Sequence, residues 1–276
     1  MSPTLEPDWI ETMDTRLAAF MMLGTLSASE AVAQQPQPQS TVRSAPRLVP
    51  AETLQAGAPA LGVYTDTVLG DLWQRSDLSP RDRSLATVAA LVSGGNSEML
   101  PSFLERSLDS GVKPSELNEV IAHLAFYMGW PNGVSAAAVA KDVFAARGIG
   151  SDQLSSGPIE LTKEEEAARN QRMAYVQQQY GAASPALVEY TNEVLFGKVW
   201  RRPGLAPRDR SLVTISALIA GGKSGQLGGH LNRGLDNGLT KADASAIIAH
   251  LAFYTGWPNA VSAAAVAKTV FERRPG

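Results

Sequence analysis

Residues 121–141 read IAHLAFYMGWPNGVSAAAVAK, and residues 248–268 read IAHLAFYTGWPNAVSAAAVAK. The two stretches differ only at Met128/Thr255 and Gly133/Ala260. Self-similarity of this length at one offset marks a chain built from two copies of one structural unit. The step from His123 to His250 is 127 residues, and it holds outward in both directions. It pairs Pro80-Arg81-Asp82-Arg83-Ser84-Leu85 with Pro207-Arg208-Asp209-Arg210-Ser211-Leu212, Trp73 with Trp200, and Gly94-Gly95 with Gly221-Gly222. The units cover residues 59–150 and 187–276. Residues 151–186 join them, first as a Ser/Gly/Pro linker and then, from Thr162, as a polar helix with Glu in its first turn, where a carboxylate suits the helix dipole.

Each unit reads as helices. Ser79-Pro80 offers an N-cap followed by proline at the first helical position. Leu85, Val88, Ala89 and Val92 follow at helical spacing until Gly94-Gly95. A second helix carries Leu100, Phe103, Leu104 and Leu108 and stops at Gly111. A third starts near Pro114, with Thr240 and Asp243 as a capping pair in the second copy. Gly129-Trp130-Pro131 breaks the chain before a fourth, alanine-faced helix, and Asn132 and Asn259 read as its caps. Asn237-Gly238 reads as a helix stop. Alternating strand patterns are missing, so the fold class is all-α, a tandem duplicated helical bundle.

Ahead of the repeats, Arg16 precedes the apolar run LAAFMMLGTL (residues 17–26), and Ala31-Val32-Ala33 follows. Charge, apolar core and A-x-A site in that order predict a signal peptide over residues 1–33, cleaved after Ala33, and hence a periplasmic or secreted protein. The alternative is a tail with a fortuitous apolar patch. The run is short of the ~20 residues that span a bilayer, and no membrane contact is expected of the mature form. Residues 34–58, opening QQPQPQSTVRSAP, read as a flexible linker.

The chain has no cysteine, which excludes disulfides, thiolate ligands and thiol redox catalysis. A net charge of −3 gives no basic footprint for nucleic acid. Three histidines without metal-ligand spacing predict no metal site. No phosphate loop or nucleophile elbow survives inspection, and no cofactor is implied.

The order RDRSLVT (208–214), GG (221–222), QLGGHLNRGLDNG (226–238) and AHLAFYTGWPNA (249–260) resembles the carboxymuconolactone decarboxylase and alkylhydroperoxidase D-like superfamily. The resemblance covers each repeat nearly end to end. It implies small all-α subunits that associate as trimers or hexamers, so a covalent tandem is similar to a fused dimer that assembles further. The family histidine falls on His230. The cysteine pair of the peroxidase branch falls on Lys223 and Gln226, and on Asn96 and Met99 in the first copy, so neither repeat can run a thiol peroxidase cycle. A glutamate common after the RxR segment is replaced by Ser84 and Ser211.

His230 is therefore the candidate catalytic acid/base, since imidazole can take and give a proton near neutral pH. Its counterpart is Phe103, a core aromatic, and Gly228-Gly229 before it removes bulk. The alternative is a core histidine bonded to a carbonyl. Arg210 is a candidate clamp for a substrate carboxylate, or else a structural partner of Asp82, Asp209 or another carboxylate. Tyr254 and Trp257 are candidate pocket walls near His230, or packed aromatics. Glu98, whose counterpart is Gly225, is a further candidate acid, or an exposed residue at a helix start. His123 and His250 are further candidates, although duplication at equal places favours a structural or interface role. Taken with these residues, the resemblance implies a carboxymuconolactone decarboxylase-like enzyme, carboxy-lyase-like, acting on a small carboxylate or lactone by general acid/base catalysis. The alternatives are a non-catalytic oligomeric scaffold of the same fold, or family-type antioxidant activity without the thiol pair.

Overall fold

The structure is a computed structural model describing residues 51–154 and 160–274. The first copy comprises α2 (Pro59–Tyr64), a π turn (Thr65–Leu69), α3 (Gly70–Gln74), α4 (Pro80–Ser93), α5 (Leu100–Asp109), α6 (Pro114–Met128) and α7 (Trp130–Ala146), preceded by α1 (Ala51–Gly57). A 3-10 turn (Ser151–Gln153) and α8 (Glu166–Tyr180) lead to the second copy. That copy comprises α9 (Pro185–Tyr190), a π turn (Thr191–Phe196), a 3-10 turn (Val199–Arg201), α10 (Pro207–Ala220), α11 (Ser224–Asp236), α12 (Lys241–Thr255) and α13 (Trp257–Glu272). No strand occurs among the described residues, so the fold is an all-α tandem bundle. No helix among them is long and apolar enough to cross a membrane.

Local chemistry accounts for the boundaries. Ser79 accepts a hydrogen bond from the Asp82 N–H at 3.1 Å and starts α4. Thr240 and Asp243 cap each other's backbone at the head of α12. Gly129 and Gly256, at φ 92° and 85°, separate α6 from α7 and α12 from α13, in a backbone region that side chains oppose. Asn132 and Asn259 correct an expectation. They do not cap, but lie inside α7 and α13 and donate to terminal carbonyls of other helices: Asn132 to Ser93 of α4 and Met128 of α6, Asn259 to Ala220 of α10 and Thr255 of α12. Residues 51–57, read as part of a linker, are helical, because AETLQA has no breaker before Gly57. The predicted signal peptide and residues 34–50 lie outside the described residues.

The two copies share one core. Helices α4 and α10 pack against each other at its centre, and each is buried on all sides over an unbroken run, Asp82 to Val92 and Asp209 to Ile219. Helix α6 of the first copy packs on α10 of the second, and α12 of the second on α4 of the first. Fully burying one leucine or isoleucine contributes about 1.5–3 kcal/mol, so this cross-packing fixes the halves together. Reciprocal ion pairs tie the N-terminal ends of the central helices: Arg81 to Asp209 at 2.8 Å and Arg208 to Asp82 at 2.7 Å.

The copies part at the entry arm. Thr65 and Thr191 are 126 apart, but Trp73 and Trp200 are 127 apart, so the second copy carries one extra residue between them. The first copy continues as α3, while the second breaks into a 3-10 turn. The break brings Phe196 into a stack on Trp200, with centroids 5.9 Å apart.

Candidate active site

Cross-packing creates two related clusters, each assembled from both copies. Where α6 meets α10, His123 lies against Thr214 and Arg210. The Thr214 hydroxyl donates its proton to the Arg210 carbonyl (2.7 Å), so it accepts from His123 Nε2–H (2.8 Å). That assigns the tautomer, and leaves His123 Nδ1 to accept from Arg210 Nη1 at 3.5 Å. His250 repeats the arrangement on α4, with Thr87 at 2.7 Å and Arg83 at 3.3 Å. Burial, and then the neighbouring arginine, keeps both imidazoles neutral: His123 falls well below its ordinary range and His250 to about 3. With both nitrogens engaged, these two rings hold the copies together.

Arg210 is fully buried and donates to Glu119 (2.8 Å) and to the Arg202 carbonyl (2.7 Å). Burial pushes the Glu119 carboxyl up, but hydrogen bonds from Arg202 and Arg210 outweigh it and hold it below the usual range. Gly204 makes room for this carboxylate, since a Cβ there would lie 2.8 Å from Glu119 Cγ. The other cluster meets the same need with a carboxylate from the arginine's own copy. There Arg83 donates to Asp77 at 2.9 Å, Asp77 occupies the position equivalent to Gly204, and Ala246 stands where Glu119 would be.

One tyrosine and one tryptophan complete each cluster. Trp200 donates to Tyr127 Oη, and Trp73 to Tyr254 Oη, both at 2.8 Å. The third ring differs. In one cluster it is Phe103, wholly buried between Trp73 and Tyr254. In the other it is His230 on α11, 5.3 Å from Tyr127 and 6.0 Å from Trp200. His230 and Trp200 are partly exposed, whereas Phe103 and Trp73 are buried. His230 Nδ1 is buried without a hydrogen-bond partner. Burial, then Arg233 one turn along α11, lowers its pKa to about 4, so the free protein holds a neutral imidazole with an unused lone pair or proton.

The structure brings His230, His123 and Arg210 into one cluster and places other candidates elsewhere. Tyr254 does not line the His230 site: it packs on Phe103 and His250 in the other cluster. Trp257 is exposed and meets Phe253 edge-on, since it starts α13 at the surface. Arg210 offers no free fork, because Glu119 and a carbonyl take its Nη2. Glu98 is exposed in the turn before α5. Ser84 and Ser211 bond back to the carbonyls of Pro80 and Pro207, at 2.8 and 2.9 Å. Sequence reading missed Tyr127, Trp200, Glu119 and Arg233. The aromatic pair was visible as a duplicated motif, but which copy's tyrosine meets His230 depends on exchange between copies, which periodicity does not encode. Among the described residues no group of acids and histidines could hold a metal ion.

The model of the carboxymuconolactone decarboxylase family matches residues 59–142 and 185–269. Over 83 residues the chain is 39% identical to 4-carboxymuconolactone decarboxylase of Acinetobacter baylyi, covering 30% of this chain and 62% of that protein. Over 75 residues it is 35% identical to nitrosuccinic acid decarboxylase of Metarhizium robertsii, covering 27% of this chain and 52% of that protein. The matched stretch is under two thirds of either relative's length. With two matches of the family model, one on each half of a duplicated bundle, the chain belongs to the carboxymuconolactone decarboxylase family.

Proposed function

We propose that this protein is a carboxy-lyase acting on a small carboxylate or lactone acid, with His230 as the proton-transferring group. One observation carries the reading: at the position where the first copy seals its cluster with Phe103, the second holds a partly exposed imidazole with an unpartnered nitrogen. A buried polar atom without a partner costs about 1–3 kcal/mol, and a phenyl ring would avoid that cost. The relatives named as decarboxylases support the reaction class.

In the proposed step the bond from carbon to the leaving carboxylate breaks, and its electron pair stays on carbon, delocalised into a conjugated carbonyl or nitro group. Imidazolium His230 delivers a proton to that carbon, and the imidazole then takes up a solvent proton in its place. Carboxylate and proton are consumed, and CO2 and the protonated carbon are formed. The ring walls of Tyr127 and Trp200 favour this, since they are poor solvents for a carboxylate and good ones for CO2. Written so, the step needs no cofactor. The test is CO2 release from 4-carboxymuconolactone and from nitrosuccinate. His230→Phe is expected to lower kcat by about 10²–10⁴. Undiminished turnover in that variant would discard the role.

The same reading includes assembly of several copies. Phe126, Trp130 and Val134 form an exposed apolar stripe, and Phe253, Trp257 and Val261 form its twin. Trp130 and Trp257 are 60% and 58% exposed, so each chain offers two matched faces to further copies of itself.

A further inference from the structure

Four guanidiniums surround the His230 cluster, and three have carboxylate partners. Arg210 and Arg202 share Glu119. Arg172 is bonded to Glu164. Arg233 makes no ion pair or hydrogen bond among the described residues; its guanidinium lies on ring faces, 4.8 Å from the centre of Phe196 and 5.0 Å from that of Trp200. Glu164 and Asp236 attract it only from beyond ion-pair range, and Asp236, on its own helix, is bonded to Arg274 at 2.6 Å. Arg233 is partly exposed and sits one turn from His230, so both side chains leave α11 on the same side.

We propose that Arg233 is the residue that receives a carboxylate of the substrate and thereby sets which substrate carbon meets His230. The assignment rests on the reading of His230 given above. Stacking on aromatic faces orients a guanidinium while leaving its N–H donors unused, and a planar fork suits a carboxylate bidentately. The carboxylate bound there is one the product keeps. A carboxylate held by Arg233 is stabilised as an anion, and that stabilisation would be lost in forming neutral CO2.

The charges facing His230 fit this role. Burial is the larger obstacle to protonating His230; His123 is neutral and Arg210 is matched by Glu119, so Arg233 is the cation that adds to it. Arg172, beside Arg233 on Phe196, is matched by Glu164. Tyr127 stays protonated, because burial raises it far above neutrality. An anion seated on Arg233 cancels the Arg233 part of that opposition and, lying beside the ring, favours the imidazolium that proton delivery requires.

The test is equilibrium binding at pH 7 by calorimetry with succinate, against the uncharged succinamide, on the full chain. Wild type and Arg106→Met, altered at the equivalent position in the Phe103 cluster, are expected to bind succinate in preference to succinamide. Arg233→Met is expected to bind succinate at least about tenfold more weakly. Arg233→Lys, which keeps the charge without the fork, is expected to fall between, and carries the comparison should the methionine variant lose its helical circular dichroism. Equal affinity of wild type for succinate and succinamide, or undiminished succinate binding in Arg233→Met and Arg233→Lys, would overturn the assignment. Succinate binding that depends on Arg233, in a protein releasing no CO2 from either decarboxylase substrate, would uphold it while removing the decarboxylase reading.

Discussion

Glu119→Ala removes the single carboxylate that faces two arginines. Arg202 is partly exposed and regains water, but Arg210 stays buried with only neutral acceptors left, the Arg202 carbonyl and, at 3.5 Å, His123 Nδ1. Breaking a buried pair from one side costs about 3–5 kcal/mol, and in a domain of this size each kcal/mol lowers Tm by about 2–4 °C. The expected loss is therefore about 6–20 °C. Gly204→Asp alone also destabilises, since its Cβ would lie 2.8 Å from Glu119 Cγ and 3.1 Å from Cδ, and a second carboxylate would crowd the first. Overpacking of this kind costs about 1–3 kcal/mol. The double variant reproduces the solution found around Arg83, where Asp77 reaches Nη2 at 2.9 Å and Ala246 leaves space. Both penalties are expected to vanish together, leaving the double variant within about 2 kcal/mol of wild type and giving a coupling of several kcal/mol. Urea unfolding of the four proteins at pH 7 measures it. If the two single losses simply add, the carboxylates are not interchangeable, and the account of the clusters as equivalent solutions to one buried arginine fails.

Three further outcomes are expected. His230→Phe should keep or raise stability, by up to about 1 kcal/mol in thermal unfolding, because the first copy packs a phenyl ring at that position and the substitution removes an unpartnered nitrogen; a loss above about 2 kcal/mol would mean the imidazole is structural. Stability should fall as pH drops from about 6.5 towards 4. The three histidines have depressed pKa values when folded, so the unfolded chain takes up protons there that the folded chain does not, at about 1.4 kcal/mol per pH unit for each histidine. Glu119, also held low, adds to the loss below about 4.5. Denaturant midpoints at pH 7, 6 and 5 would test this, and a flat profile would contradict the neutral, buried rings. Trp130→Asp with Trp257→Asp should reduce the mass seen by light scattering without changing helical content; an unchanged mass would exclude the two stripes as the assembly faces.

The duplicated stretch at residues 121–141 and 248–268 determined most of the architecture by itself. Helix starts at Ser79-Pro80 and Thr240, and breaks at Gly129 and Gly256, follow from local rules of capping and backbone sterics, which act within a few residues and so are written in the sequence. So is the exchange of Phe103 for His230, visible once the copies are aligned. Partners across the interface were not. Tyr254 carries the same motif as Tyr127, yet only Tyr127 meets His230, because α6 packs on α10 of the other copy and α12 on α4. Arg210 was legible as a candidate clamp and Arg233 was not, and tertiary contacts reverse the choice: Arg210 is matched by Glu119 from the other copy, and Arg233 lies on two rings with its donors unused. Charge pairing and desolvation depend on distances between segments far apart in the chain, and those distances exist only once the two copies have folded into one core.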